Sequence, residues 1–261
     1  MAKATSVTRP IQVLRNVLFY VAFYVGSAGY VLSALAMLPI SRDRFARVVV
    51  GWSRYHRTCA RLLLGIRVVI EGELPLSHAL VAIKHESFFE AIDLPYLLNE
   101  PAVIAKAELL RIPLWGKAGR NFGLIGVERD QGAKALRTML NEARTMIAAG
   151  RVLAIFPEGT RIPHGHTAPL GSGFAGLYKL LRLPVVPVAV DSGPLYHRTW
   201  KRSGTITYRV GAPIPSGLPR DEIEAKVIAA INGLTPEAPF QESANGAGLP
   251  QATAPGLPRR A

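Results

Sequence analysis

A histidine and a glutamate five residues apart carry the first signal of chemistry in this sequence. His85 follows the apolar run 80–83, which predicts a short buried strand, and residues 88–99 have the length and apolar spacing of a helix. On one continuous helix the two side chains would point about 140° apart. With His85 still in the loop and Glu90 in the first helical turns, the carboxylate can reach back to the imidazole. That arrangement orients a histidine base and stabilises its protonated form.

A histidine near a glutamate is also common as a surface or core pair without catalytic meaning. A second block favours chemistry: residues 156–161 read Phe-Pro-Glu-Gly-Thr-Arg and follow the apolar run 152–155, another predicted buried strand. Strand ends at one edge of an open α/β sheet are where such folds place reacting groups.

These blocks resemble a known family, the glycerophospholipid acyltransferases, and especially the bacterial 1-acylglycerol-3-phosphate acyltransferases. That family carries a His-x4-Asp block, a Gly/Ile/Arg block, a Phe-Pro-Glu-Gly-Thr block and a Val-Pro-Val block in that order. Similar blocks stand here at 85–90, 123–129, 156–161 and 185–190, and the resemblance covers roughly residues 66–215. Glu90 stands where the family has Asp, which we interpret as a tolerated variant.

The resemblance implies an enzyme that moves a fatty acyl chain from an acyl carrier protein or coenzyme A thioester to the sn-2 hydroxyl of lysophosphatidate, forming phosphatidic acid. It makes His85 and Glu90 the catalytic pair. No metal or bound cofactor is implied, since the thioester is a co-substrate. Glu158 and Gly159 would shape the site. The residues assigned to the glycerophosphate head group are Arg129, Glu158, Gly159, Thr160 and Arg161.

The residue types fit this chemistry without the resemblance. Acyl transfer to a hydroxyl needs a base and donors for the developing oxyanion. No Gly-x-Ser-x-Gly elbow is present, and Cys59 lies in a basic segment as a small hydrophobe, so direct attack by the acceptor is favoured over an acyl-enzyme. Guanidinium groups match phosphate oxygens in a bidentate fork, which suits Arg129 and Arg161. Lys106, ending the predicted strand 102–105, could contact phosphate or be a surface lysine.

Several of these residues also have an interpretation without a role in catalysis or binding. Glu158 and Arg161 could form a structural ion pair that closes a tight turn. The glycines of 171–176 spell a dinucleotide-binding pattern, but they stand too far from the preceding strand for that site. His164 and His166 could be a metal pair, but without neighbouring Cys or carboxylate ligands they indicate a polar loop. Glu86 and Asp93 compete with Glu90 as the partner of His85; spacing favours Glu90.

Composition points to a membrane. The 261 residues are 49% hydrophobic, with a mean hydropathy of +0.21, a net charge of +13 and a pI near 10.3. Such a basic balance suits nucleic acid or an anionic membrane surface. Because no nucleic-acid-binding pattern is present and apolar residues are in excess, we expect the membrane and no nucleic acid. One cysteine excludes an intramolecular disulfide.

The membrane contact is expected in residues 11–65. Residues 17–40 carry no formal charge, and as a helix they would be about 36 Å long, enough to cross a hydrocarbon core. A signal peptide is the rival interpretation, but residues 39–42 make a poor cleavage site. Residues 42–64 predict a basic amphipathic helix. The richer positive flank would place the catalytic domain on the cytoplasmic face, although a helix pair lying in one leaflet explains both flanks equally well.

The predicted fold class is α/β, a mostly parallel sheet with helices on both faces, because strands alternate with helices. The predicted divisions are a loose N-terminus (1–10), membrane-associated helices (11–65), the acyltransferase domain (66–234) and a disordered Pro/Ala/Gly-rich tail (235–261). Two rival functions stay open: acyl transfer to another lysolipid, and a non-catalytic membrane protein that binds lipid phosphate.

Overall fold

The computed structural model describes residues 10–128 and 132–234. Within them, seven strands form one sheet. The strand predicted at 80–83 has those bounds in the structure, and the strands predicted at 102–105 and 152–155 each differ by one residue at an end. In chain order the strands are β1 (Ile66–Glu71), β2 (Leu80–Ile83), β3 (Ala102–Lys106), β4 (Leu124–Val127), β5 (Leu153–Ile155), β6 (Val185–Val190) and β7 (Gly204–Val210).

The sheet runs in the order β1-β7-β6-β2-β5-β3-β4. Five of its neighbouring pairs are parallel, including β2 with both β5 and β6, and β3 with both β5 and β4. Only β6 and β7 pair antiparallel within the described residues. The prediction of a mostly parallel sheet is therefore confirmed, and β2 lies at its centre, where its four residues are all buried.

Helices cover both faces of the sheet. In chain order the α-helices of the described ranges are α1 (Pro10–Met37), α2 (Arg42–Cys59), α3 (Phe88–Leu97), α4 (Trp115–Phe122), α5 (Gly132–Ala148), α6 (Ser172–Leu181), α7 (Gly193–Tyr196) and α8 (Arg220–Ile231).

Alternate residues of β2 divide the core into two layers, as the period of two in a strand requires. Val81 and Ile83 belong to the layer shared with α1, the π-helical turn Ala60–Leu64 and α3. Leu80 and Ala82 face the layer built with α5, α6 and α8. Both faces of the central strand β2 are thus buried against helices, which explains why all four of its residues are apolar.

The N-terminal helices are not a separate unit. One face of α1 packs into the domain: Phe19 is fully buried, and the buried Asn16 side chain accepts from Lys201 N (2.7 Å) and donates to Lys201 O (3.1 Å). The opposite face exposes large apolar side chains, among them Leu18, Val21 and Val25. The helix expected to serve the membrane therefore also contributes Phe19 and Phe23 to the core of the domain predicted over 66–234.

The two N-terminal helices can be compared with the segments predicted for them, residues 17–40 and 42–64. α1 begins at Pro10, a residue pre-organised for the first helical position, and ends at Met37, before Pro39. α2 continues beyond Cys59 as the π-helical turn, so the basic helix predicted over 42–64 is confirmed. Of the loose N-terminus predicted over residues 1–10, only Pro10 lies within the described residues, and the tail predicted at 235–261 lies outside them.

Candidate active site

The residues singled out from sequence converge on one edge of the sheet. Because β2, β5 and β3 are parallel neighbours, their carboxyl ends lie side by side. His85 follows β2, the block 156–161 follows β5, and Lys106 ends β3. Arg129, two residues beyond β4, lies outside the described residues.

The turn that carries His85 is built by a capping box, a local device of sequence Ser-x-x-Glu. Ser87 is the N-cap of α3, and its hydroxyl accepts from Phe89 N at 3.0 Å. The carboxylate of Glu90, the third residue of the helix, reaches back and accepts from Ser87 N and Glu86 N, each at 2.6 Å. The cap therefore holds Glu90 over the turn instead of out in solvent.

Glu90 contacts the imidazole from this position. Its Oε1 lies 3.0 Å from His85 Nδ1. The Glu90 side chain is fully buried, and its Oε2 accepts from the hydroxyls of Ser87 (3.0 Å) and Ser192 (2.6 Å). Burial by itself raises the pKa of Glu90, but the hydrogen bond and charge of His85, with the serine and backbone donors, outweigh it and lower that pKa. Glu90 is thus a preformed anion, which can only accept.

The imidazole of His85 has one nitrogen left for chemistry. Nδ1 donates to the carboxylate, so Nε2 is the nitrogen that can take a proton from a substrate. The ring stacks on Phe156, with 4.1 Å between ring centroids, and its side chain is 15% exposed. A mostly enclosed imidazole with one nitrogen fixed by an anion can act as a general base.

The two competing carboxylates have other partners. Asp93 is fully buried and forms an ion pair with Arg57 through both oxygens, at 2.8 and 2.5 Å. Glu86 contacts His164 Nδ1 at 3.0 Å and accepts from Gly193 N at 2.8 Å. Burial raises the pKa of both carboxyls despite these donors. The contact predicted from the five-residue spacing, His85 with Glu90, is the one that the structure shows.

The Glu158 carboxylate lies beneath the turn, away from solvent. Its Oε1 accepts from Lys84 Nζ at 2.6 Å and its Oε2 from His85 N at 3.3 Å, and both side chains of the ion pair are buried. The alternative of a structural ion pair between Glu158 and Arg161 is not the arrangement found, because Lys84 pairs with Glu158. Glu158 is also not placed to touch a phosphate. It shapes the site by joining the two strand-end turns.

The next three residues point outward. Gly159 has a φ of +68°, a left-handed conformation that glycine adopts without strain. Thr160 and Arg161 are exposed, and the Arg161 guanidinium lies 4.1 Å from the centroid of the Phe88 ring, at the start of the helix that carries Glu90. The turn thus offers a hydroxyl and a guanidinium beside His85.

Lys106 is exposed at the end of β3. Two strand spacings, about 10 Å, separate β3 from β2, so Lys106 lies farther from His85 than the turn at 156–161 does. Among the described residues no group of three or more His, Cys, Asp or Glu side chains is arranged to hold a metal ion.

Three residues of the site escaped sequence reasoning. Lys84 is buried and donates to Glu158, to His166 O (3.0 Å) and to Asn232 Oδ1 (2.8 Å). Ser192 supports Glu90, and His164 holds Glu86. A charged residue directly after an apolar strand was the one available signal for Lys84.

A mainly parallel sheet whose carboxyl edge carries a histidine, fixed by a buried carboxylate, is suited to general-base chemistry such as acyl transfer to a hydroxyl. Comparison with known proteins agrees. The family model described as Acyltransferase matches residues 65–191. A 1-acyl-sn-glycerol-3-phosphate acyltransferase from Pseudomonas aeruginosa is 31% identical over 210 residues, covering 77% of this chain and 80% of that protein. The chain belongs to the acyltransferase family.

Further relatives span much of the chain. The human 1-acyl-sn-glycerol-3-phosphate acyltransferase beta is 29% identical over 232 residues, or 83% of this chain and 82% of that one. The crystal structure of the 1-acyl-sn-glycerophosphate (LPA) acyltransferase PlsC from Thermotoga maritima superposes with a TM-score of 0.66 at 22% identity, covering 86% of this chain and 96% of that chain. The latter similarity shows the shared fold.

Proposed function

We propose that this enzyme transfers a fatty acyl chain from the thioester of acyl carrier protein or coenzyme A to the sn-2 hydroxyl of lysophosphatidate, releasing phosphatidic acid and a free thiol. The observation that carries the proposal is the 3.0 Å contact between His85 Nδ1 and the buried Glu90 carboxylate. The acceptor is supported by relatives that are named 1-acyl-sn-glycerol-3-phosphate acyltransferases.

The reaction needs one base and no covalent intermediate. Nε2 of His85 takes the proton of the acceptor hydroxyl as the hydroxyl oxygen attacks the thioester carbonyl carbon. The carbon–sulfur bond then breaks, and the leaving thiolate takes that proton from the imidazolium. Glu90 stabilises the imidazolium during both steps and keeps Nε2 directed at the substrate.

The exposed residues of the turn at 156–161 bind the phosphate of the acceptor in this proposal. Thr160 supplies a hydroxyl, and Arg161 supplies a fork of donors that matches phosphate geometry. Arg129 and Lys106 belong to the same proposed set, because each follows or ends a strand of this edge. Glu158 and Gly159 hold the turn in place.

An assay of the purified protein tests this function. Lysophosphatidate and a panel of other lysolipids are each offered with acyl carrier protein and coenzyme A thioesters, and labelled products are identified. We expect phosphatidic acid from lysophosphatidate. Faster acylation of another lysolipid supports the rival acceptor. If no lysolipid is acylated and His85→Ala still binds lipid phosphate as the wild type does, the protein is the non-catalytic lipid-binding alternative.

We propose further that the enzyme works at the cytoplasmic face of a membrane, anchored by α1 and α2. α1 is long and apolar enough to cross a membrane by length and composition, and within an apolar stretch of 18 residues 17% is buried inside the protein. The outer face of α2 adds exposed arginines, including Arg44, Arg47 and Arg54, which suit an anionic leaflet. A helix pair lying in one leaflet fits this arrangement as well as a spanning helix does.

Deleting residues 1–40 is an unsuitable test of anchoring, because it removes Asn16 and Phe19 from the domain core. Replacing the exposed Leu18, Val21 and Val25 by Gln leaves that core intact. Each loses an apolar side chain worth about 1.5 kcal/mol or more in a membrane, so much of the protein should move to the soluble fraction. Unchanged sedimentation with vesicles would contradict the anchoring role of this face.

A further inference from the structure

A second histidine–carboxylate contact lies beside the first. His164 Nδ1 is 3.0 and 3.2 Å from the two oxygens of Glu86, and the Glu86 side chain is almost fully buried. Glu86 is the residue between His85 and Ser87, so this contact attaches directly to the catalytic turn. The His164 side chain is 23% exposed and belongs to the loop that follows Arg161.

Three loops cross at Glu86. Its Oε2 accepts from Gly193 N at 2.8 Å, and its carbonyl oxygen lies 3.0 Å from His197 Nδ1. The approach is so close that a Cβ at Gly193 would lie 2.9 Å from Glu86 Oε2 and 3.2 Å from His164 Cβ. Gly193 follows Ser192, which supports Glu90. The crossing therefore joins the catalytic turn to the loop carrying Arg161 and to the loop that holds Glu90.

Residues 159–163, here called the arginine loop, are held by contacts at both ends of the segment. On one side Glu158 is paired with Lys84. In the middle Ile162 N donates to His85 O at 2.7 Å. On the far side His164 contacts Glu86, and His166 O accepts from Lys84 Nζ at 3.0 Å. Of these contacts, only that of His164 is made by a partly exposed side chain, and after its removal the Glu86 carboxylate still accepts from Gly193 N.

We infer that the His164–Glu86 hydrogen bond is a latch that fixes the arginine loop, and with it Thr160 and Arg161, at a set position relative to His85. His164 is a positioning residue for the acceptor and touches no reacting atom. Without the His164 contact, the loop is still held at Glu158 and at His166 O, but between them the bond from Ile162 N to His85 O contributes little net stability. This inference rests on the proposed function for its kinetic consequence, and on the geometry alone for its structural one.

The first test is structural and needs no substrate. In full-length His164→Ala, the amide of Ile162 should exchange with solvent about tenfold faster than in the wild type, because the loop opens more often. His166→Ala is the matched control: the same side-chain type is lost two residues away, but the His166 side chain is exposed and its carbonyl bond to Lys84 persists. Equal exchange rates in His164→Ala, His166→Ala and the wild type would overturn the latch.

The second test is kinetic. His164→Ala should raise the KM for lysophosphatidate about tenfold while leaving the thioester KM within twofold and kcat within about threefold. His164→Asn should restore most of the acceptor KM, because the amide nitrogen of Asn can donate to Glu86 from nearly the position of Nδ1. A general folding defect would instead lower kcat and leave both KM values alone.

The outcomes separate the two ideas. If the wild type acylates no lysolipid, the proposed function fails, and the amide exchange of Ile162 still decides the latch. If the wild type is active but His164→Ala matches His166→Ala in acceptor KM, the latch does not position the acceptor and the inference is overturned. Failure of His164→Asn to restore the acceptor KM would also count against it, since the latch is a hydrogen bond.

Discussion

Two histidines close to α3 show how different surroundings give one residue type two roles. His85 is partly exposed and contacts the anionic Glu90. His56 is fully buried among the rings of Phe19, Phe23, Phe89 and Tyr196. Its Nε2 lies 2.8 Å from Tyr196 Oη, and its Nδ1 has no hydrogen-bond partner in the described part of the chain.

Burial disables one of these histidines as a base. It lowers the pKa of His56 to about 3, and the positive charges of Arg57 and Lys201 add to the effect. His56 is therefore neutral at physiological pH and serves to pack α2 against the domain. His85, with an anion on Nδ1 and solvent near the ring, is the one that can exchange protons with a substrate. The comparison teaches that the surroundings of a histidine, rather than the residue type, decide whether it can act as a base.

The two histidines share one support. Ser192 donates to Glu90, and Tyr196, four residues later at the end of α7, contacts His56. Packing of the N-terminal helices and support of the catalytic carboxylate thus meet in one short segment after β6.

Removing His85 is the test of this comparison with the largest expected effect on turnover. His85→Ala should lower turnover by about 10² to 10⁴, the usual contribution of a general base, and should also lower the free energy of unfolding, because the buried Glu90 carboxylate loses a donor. Steady-state kinetics and denaturant unfolding of the purified protein measure both. Turnover within tenfold of the wild type would remove His85 from the mechanism.

A milder change asks whether the acceptor is held beside His85. Arg161→Lys replaces a bidentate fork by a point charge, so the KM for lysophosphatidate should rise about tenfold while that for the thioester stays nearly constant. Kinetics with each substrate varied in turn provide the measurement. An equal rise in both KM values would indicate that the change disturbs the fold of the turn.

The smallest effect on turnover is expected at His56. His56→Phe should keep kcat within about threefold.

The same variant tests whether folded His56 is neutral. In the unfolded chain His56 has an ordinary pKa near 6.5, so between about pH 6.5 and 3 the unfolded chain binds a proton that the folded chain does not. That site lowers wild-type stability as the pH falls, by at most about 1.4 kcal/mol per pH unit. The variant should lose less stability between pH 7 and 5, as urea unfolding at each pH will show; parallel curves would contradict the neutral buried histidine.

Much of this molecule could be predicted from local patterns. Apolar runs located the strands, and the order of strands and helices gave the mostly parallel sheet. The five-residue spacing identified Glu90 as the partner of His85, and the Ser87-x-x-Glu90 capping box, legible in the sequence, explains how the carboxylate reaches back.

What escaped prediction depends on residues distant in the chain. Lys84 and Glu158 are 74 positions apart, Glu86 and His164 are 78, and Glu90 and Ser192 are 102. No local periodicity marks such pairs, because the sheet order brings them together. The docking of α1 was missed for a similar reason: an uncharged helix predicts membrane contact, but only the structure shows that Asn16 and Phe19 belong to the domain.

The central claim is that the charge of Glu90 serves His85, and a matched pair of variants tests it most directly. Glu90→Gln and Asp93→Asn each remove one fully buried carboxylate charge from the same helix, but only Glu90 contacts His85. Gln can keep the backbone bonds through its oxygen, while the hydroxyls of Ser87 and Ser192 turn to accept from its amide.

The measurement is turnover per folded molecule, with the folded fraction taken from unfolding curves of each variant. The account predicts a loss of about 10² or more in Glu90→Gln, with the KM for lysophosphatidate nearly unchanged. It predicts turnover within about tenfold of the wild type in Asp93→Asn, despite the weakened pair with Arg57. Near-normal turnover in Glu90→Gln together with lost turnover in Asp93→Asn would contradict it.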